Sequence, residues 1–138
     1  MFTGFTHFSA KIAVAQQKNI GNTLSQLHEM KAITNDAEKI ITCGKPDDFG
    51  LLLNKTWELK RTLSDSITTN DIDEIYKKAR ICGALGGKLL GAGGGGFMLL
   101  YVPKEKQPRF INNFPEFKFV PFEFESEGTK IIYENQLI

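Results

Sequence analysis

Up to Cys82 the apolar residues recur in steps of three and four, and beyond it they run together or alternate, dividing the chain into a helical half and a strand-rich half. The opening Met1-Phe2-Thr3-Gly4-Phe5 has the character of a strand end, which is expected to continue a larger architecture because nothing before it supplies a partner. Thr6 or Ser9 is placed to cap a helix over 6–18 carrying Ala10, Ile12, Ala13 and Val14. From Leu24 onward, Leu27, Met30, Ile33, Ala37, Ile40 and Ile41 draw one stripe along a second helix over 23–42, and Gly44 supplies its stop. Pro46 and Asp47 open a third helix over 47–63 with Phe49, Leu52, Leu53, Thr56, Leu59 and Leu63 on one face. A fourth over 71–82 starts from Asn70 or Asp71 and aligns Ile72, Ile75, Tyr76, Ala79 and Cys82, after which Gly83 ends or bends it.

The second half follows a different rule. Phe97-Met98-Leu99-Leu100-Tyr101-Val102 is a short unbroken apolar run stopped by Pro103, the pattern of a buried strand, and Gly86 to Leu90 forms a shorter strand before it. Residues 104–114 read as a helix turning Phe110, Ile111 and Phe114 inward, with Pro108 near its first turn. Phe117 and Phe119 sit in one alternation and Val120, Phe122 and Phe124 in the other, so Pro121 marks a bulge or an edge. Ile131-Ile132-Tyr133 closes with a final strand. Seven of the eleven phenylalanines lie from Phe97 to Phe124, which puts the sheet core there. Helices followed by a βαββ-like remainder make an α+β fold, and 138 residues suit a single domain over 1–138.

Composition narrows the chemistry. Seventeen basic against sixteen acidic residues leave a net charge of +1, which removes the electrostatic basis for nonspecific binding to nucleic acid or an anionic membrane. Cys43 and Cys82 stand far apart, and His7 and His28 are the only imidazoles, so zinc-ligand spacing is absent and no metal site is expected. With no membrane-length apolar run and no signal-peptide pattern, the chain reads as soluble and cytoplasmic, with reduced thiols.

The run from Gly86 to Phe97 carries the chemical content. Seven glycines in eleven residues each add conformational entropy to the unfolded chain, so they need a reason. One is a tight hairpin between two strands; another is a concavity of backbone N–H groups that receives an anion. The P-loop pattern fails, because Phe97 and Met98 stand where Lys and Ser or Thr should follow Gly91 to Gly96. The dinucleotide fingerprint matches at Gly91, Gly93 and Gly96, yet it needs a helix directly afterwards, and a strand is expected here.

Residues 86–97, Gly-Gly-Lys-Leu-Leu-Gly-Ala-Gly-Gly-Gly-Gly-Phe, resemble the third signature motif of the GHMP kinases (galactokinase, homoserine kinase, mevalonate kinase, phosphomevalonate kinase). Leu27-His28-Glu29-Met30-Lys31, Trp57-Glu58-Leu59-Lys60-Arg61 and Gly83-Ala84-Leu85 extend the likeness toward the sugar kinases acting on D-glycero-D-manno-heptose 7-phosphate. The resemblance implies the C-terminal domain of such a kinase, N-terminal helices followed by a ferredoxin-like antiparallel sheet. The N-terminal ATP-binding domain, with its Gly-Leu-x-Ser-Ser phosphate loop and its catalytic and magnesium-binding acids, is absent from these residues. ATP and Mg2+ are thus implied for the complete enzyme, with neither tightly bound to this chain and no catalytic residue within it. The implied partners are that N-terminal domain and a sugar phosphate. One departure stands out: Thr3-Gly4-Phe5-Thr6-His7 occupies a place where an arginine is expected at the end of Thr-Gly-x-Thr-Arg, leaving a weaker, titratable donor.

The resemblance places Gly91, Ala92, Gly93, Gly94, Gly95 and Gly96 against the phosphate loop, with backbone N–H groups toward the sugar. Lys88 at the mouth of the run is a candidate contact for phosphate or hydroxyl, and equally a solvated lysine. Trp57, Lys60 and Arg61 form the one aromatic and basic cluster, suited to a phosphate dianion, while the plainer reading makes Trp57 core and the cations a solvated face. Lys77, Lys78 and Arg80 read as a solvated helix surface. A ligand-binding or regulatory module without catalysis, or an interaction domain, remains the alternative to a kinase domain.

Overall fold

A computed structural model of the chain describes residues 1–6 and 8–133, apart from the side chain of Cys43. Five α-helices and two strands follow in the order α1 (Ser9–Asn19), α2 (Leu24–Cys43), α3 (Pro46–Arg61), α4 (Asn70–Ile81), β1 (Gly86–Leu89), β2 (Met98–Tyr101) and α5 (Gln107–Asn112) among these residues. Short 3-10 turns precede α2 and α5.

The four long helices stand where the periodicity puts them, and their ends differ for identifiable reasons. Gly44 terminates α2 in the left-handed conformation at φ 72° and Pro46 occupies the first turn of α3, as expected. Helix α4 is capped by Thr69, not by Asn70 or Asp71: its Oγ1 accepts the Ile72 N–H at 3.3 Å. Helix α1 begins at Ser9 after Phe8, with neither Thr6 nor Ser9 capping it. Thr3 and Phe5 upstream of it are bonded to the glycine run instead: Phe5 O accepts the Gly96 N–H at 2.8 Å and the Thr3 N–H donates to Gly96 O at 2.9 Å. Helix α3 stops at Arg61, and Leu63 lies beyond it in a connecting segment that buries Leu63 and Ile67.

β1 and β2 pair antiparallel, Gly86 opposite Tyr101 and Leu89 opposite Met98. Phe2 bridges Phe97, and Met1 exchanges hydrogen bonds with Met98, so the opening residues lie along β2 as the strand end that their sequence suggests. On its other side the Phe2 N–H donates to Lys118 O at 2.9 Å. There the sheet stops growing. The strands expected over 117–124 and at Ile131-Ile132-Tyr133 are not formed. Pro115 and Pro121 offer no N–H to a ladder, and Phe117 and Phe119 pack against Phe110 and Phe114 as side chains of a second core. Phe124 is 95% exposed and Ile132 90%. Helix α5 is shorter than expected and turns Phe110 inward, with Phe114 buried just beyond it, but leaves Ile111 exposed.

The main core joins Ile12 of α1, Trp57 of α3, Leu63, Ile67, Ile72 and Tyr76 of α4, Leu89 and Met98. Helix α3 lies directly on β1. A Cβ at Gly86 would fall 1.9 Å from Gly50 O, and one at Gly50 would fall 2.5 Å from the Tyr101 ring. Two of the seven glycines in the run, Gly86 and Gly87, therefore serve packing, since a Cβ at Gly87 would meet Leu99 O at 2.3 Å. From this contact the ten residues of α3 up to Lys60 advance roughly 15 Å, and the five residues from Gly86 to Gly91 advance roughly 17 Å. These matched lengths bring Lys60 beside Gly91. Among the described residues no helix is long and apolar enough to cross a membrane.

Candidate functional site

Residues 91–96 form a looped connection from β1 to β2, closed at its base by the Leu90 N–H donating to Phe97 O at 2.8 Å. A strand follows the glycines, so the loop lacks the helix that a dinucleotide-binding turn requires. Two glycines answer to close approach. A Cβ at Gly93 would meet Ile67 O at 2.7 Å and one at Gly95 would meet Phe5 O at 2.6 Å. The loop is also tied by the Gly94 N–H to Ile67 O at 2.8 Å and by the Thr3 hydroxyl, which donates to Gly96 O at 2.8 Å.

The first part of the loop is held differently, through its carbonyls. The Lys60 ammonium donates to Gly91 O at 2.6 Å and to Leu89 O at 3.4 Å, and the Gln16 side-chain amide donates to Ala92 O at 2.9 Å. The N–H groups of Gly91, Ala92 and Gly93 meet no acceptor among the described residues. Three consecutive backbone donors thus lack a protein acceptor, two on the exposed Gly91 and half-buried Ala92 and one on the buried Gly93, the kind of donor series that can receive an anion.

Lys88 shares with Gly86 the face of β1 turned toward α3, by the two-residue alternation of a strand. Burial first, and the like charge of Lys88 second, hold the Lys60 ammonium below the ordinary lysine range. Neither lysine enters an ion pair among the described residues. The mouth of the loop is therefore a locally positive place in a molecule of nearly balanced charge.

The cluster of Trp57, Lys60 and Arg61 that the sequence suggests is taken apart by the fold. Trp57 is 0% exposed, its ring 6.1 Å from that of Tyr76, and its indole N–H has no partner among the described residues. Arg61 points away from the loop, donating to Glu58 at 3.0 Å and Asp73 at 2.8 Å, and so joins α3 to α4 with its charge already balanced. Lys60 alone of the three reaches the glycines. Lys78 is not simply solvated either: it pairs with Glu116 at 2.9 Å over the Phe114 ring, and Arg80 donates to Ala84 O at 2.6 Å. His7, the titratable donor at the end of the Thr-Gly stretch, lies outside the described residues. Sequence reasoning missed Gln16, Thr3 and the Ile67 backbone. Gln16 gave no signal, being a polar residue on a helix like its neighbour Gln17.

A groove of about 440 Å³ begins where the loop ends, bordered by Met1, Leu90, Phe97, Leu100 and Phe110. Its lining is almost wholly apolar, which suits packing better than recognition of a sugar.

Comparison with known proteins bears on the loop. The family described as GHMP kinases, C terminal, matches residues 23–118. The chain is 35% identical over 134 residues to the D-glycero-alpha-D-manno-heptose 7-phosphate kinase of Campylobacter jejuni, covering 94% of this chain and 39% of that protein. It is 34% identical over 110 residues to the L-fucokinase/L-fucose-1-P guanylyltransferase of Bacteroides fragilis, covering 77% of this chain and 11% of that one. Among solved structures, the mevalonate kinase of Methanococcus jannaschii superposes with a TM-score of 0.70 at 28% identity, over 83% of this chain and 34% of its own. The mevalonate kinase of L. major in complex with R-mevalonate superposes with a TM-score of 0.71 at 22% identity, a likeness of fold, over 83% of this chain and 36% of its own.

Proposed function

The chain belongs to the C-terminal domain family of the GHMP kinases, and from that premise we propose that it is the acceptor-side domain of an ATP-dependent kinase for a phosphorylated sugar, of the heptose 7-phosphate class. The observation that supports this most is the glycine loop itself, with three successive backbone donors without protein acceptors beside two lysines without carboxylate partners among the described residues. The 35% identity to a heptose 7-phosphate kinase over 94% of the chain supports the substrate class.

Phosphoryl transfer asks a protein mainly to position the reactants and to stabilise charge that spreads over the transferring group. Backbone donors fixed before the reaction do this without reorganising as charge develops. On this reading the N–H groups of Gly91, Ala92 and Gly93 line the place where acceptor and phosphoryl oxygens meet, and Lys88 offers its ammonium to the phosphate already on the sugar. The described residues hold no cluster of His, Cys, Asp or Glu suited to a metal ion. On this reading metal and nucleotide are held by the N-terminal domain.

The test is ADP release by the complete enzyme, the N-terminal kinase domain joined to this one, with ATP, Mg2+ and a panel of acceptors. Heptose 7-phosphate is expected to exceed the unphosphorylated heptose in kcat/KM by roughly tenfold to a hundredfold, the range of one or two charge-assisted hydrogen bonds. Equal turnover of the two sugars, or a preference for mevalonate, would overturn the assignment.

A further inference from the structure

The hydrogen bonds that hold the loop from behind divide the work between the two lysines. An ammonium has three donors. Two of those on Lys60 go to Leu89 O and Gly91 O, and the contact to Gly91 is short at 2.6 Å. From α1, the Gln16 amide takes the next carbonyl, Ala92 O, at 2.9 Å. Every described peptide bond is trans, and in a planar trans peptide the N–H points opposite to the C=O of the same unit. A carbonyl of Gly91 drawn to Lys60 therefore turns the Ala92 N–H away from Lys60. A carbonyl of Ala92 drawn to Gln16 likewise turns the Gly93 N–H away from Gln16.

Left to itself, a glycine-rich segment samples many peptide orientations, because each Gly reaches both signs of φ. Gly94 and Gly96 are tied down by Ile67, Phe5 and Thr3, but the carbonyls of Gly91 and Ala92 have only these two side chains as donors among the described residues. Matched advance along α3 and β1 delivers Lys60 to its place, and the Gly50–Gly86 contact sets the distance between the two elements.

We propose that Lys60 and Gln16 are positioning residues, which hold the Gly91 and Ala92 carbonyls from behind so that the Ala92 and Gly93 N–H groups are presented to the substrate. Lys60 is then not a ligand of the sugar's phosphate, a role that stays with Lys88. The inference rests on the preceding reading that the loop meets substrate, but its structural half is testable without it.

Three variants separate the possibilities. Lys60→Met keeps the length of the side chain and removes the donors, whereas Lys60→Arg keeps donors; Gln16→Ala probes the second support. Hydrogen exchange on this chain reads the Leu90 and Gly94 amides, which are bonded at the two ends of the held segment. In Lys60→Met and Gln16→Ala their protection is expected to drop roughly tenfold while α4 amides keep theirs, a loosening confined to the loop. In the complete enzyme Lys60→Met is expected to lose about tenfold or more in kcat with little change in KM for the sugar phosphate, and Lys60→Arg to recover part of it.

Unchanged protection at both amides in both variants would overturn the positioning role. A raised KM with kcat retained would also overturn it, by making Lys60 a direct phosphate ligand. A loosened loop with unchanged kinetics would instead defeat the reading that the glycines meet substrate, and with it the catalytic half of the proposal.

Discussion

Gly93 and Gly95 sit against backbone oxygen atoms, whereas a Cβ at Gly91 would meet nothing within 4 Å, so three residues that look alike in sequence respond differently to a methyl group. Gly95→Ala forces a methyl against Phe5 O and is expected to cost about 1–3 kcal/mol. Gly93→Ala adds to a similar collision with Ile67 O a φ of 129°, outside the range L residues favour, and is expected to cost the most. Gly91→Ala bears only the strain of φ 73°, about 1–2 kcal/mol. Denaturation midpoints of the three variants check that order, and an equal loss at all three positions would contradict it. At Lys88 the expectation is kinetic: Lys88→Met should raise KM for the sugar phosphate in the complete enzyme and leave the midpoint of this chain nearly unchanged. Tyr76 supplies a pH dependence. Burial foremost pushes its phenol up to about 12 from an ordinary value of 10.0, and its hydroxyl donates to Asn54 at 2.8 Å. A folded state that keeps a proton the unfolded chain has lost contributes stability that is complete below pH 10 and disappears as pH rises through about 12. Phenolate absorbance should show one tyrosine titrating late, and Tyr76→Phe should remove that step together with the alkaline loss of stability it causes.

Between elements, the contact of α3 with β1 has the least slack. Gly86→Ala places a methyl 1.9 Å from Gly50 O, so either α3 moves off the strand or the variant loses stability, by about 3 kcal/mol. If α3 moves, Lys60 moves with it. The variant should therefore also lower protection of the Leu90 amide beyond what its global stability explains, a coupling that hydrogen exchange separates from simple unfolding. Helix α4 depends on a local device instead. Thr69→Ala removes the oxygen that accepts the Ile72 N–H and is expected to cost about 1 kcal/mol, with no effect on the loop. Thermal midpoints and loop exchange measured together distinguish the two cases.

At the scale of the whole molecule, the chain spans 39% of the length of the heptose 7-phosphate kinase it matches, and its described residues hold no metal-binding cluster. ATP turnover by this chain alone is expected to stay at the level of a buffer blank, and turnover clearly above that would contradict the assignment of nucleotide and metal to another domain. The sequence by itself determined the four long helices, the two strands around the glycines, the α+β class and the family, through the motif from Gly86 to Phe97. Those are matters of local periodicity, caps and turn chemistry, which act within a few residues and so are written consecutively. Only the tertiary structure decided where each residue of the candidate site points. Trp57, Lys60 and Arg61 share one helix yet face the core, the loop and α4, because the 3.6-residue turn spreads neighbours around the axis and each direction meets a different element. The C-terminal strands were over-read for a related reason. Alternation marks residues suited to a strand, but a strand also needs a partner in hydrogen-bonding register, and past Lys118 no backbone bond to another segment forms among the described residues. The glycines likewise divide into those required by Gly50, Ile67 and Phe5 and those, Gly91 and Gly96, where an added Cβ would meet nothing, only when elements far apart in sequence are brought together, since a collision with a distant backbone atom leaves no mark on the residues nearby.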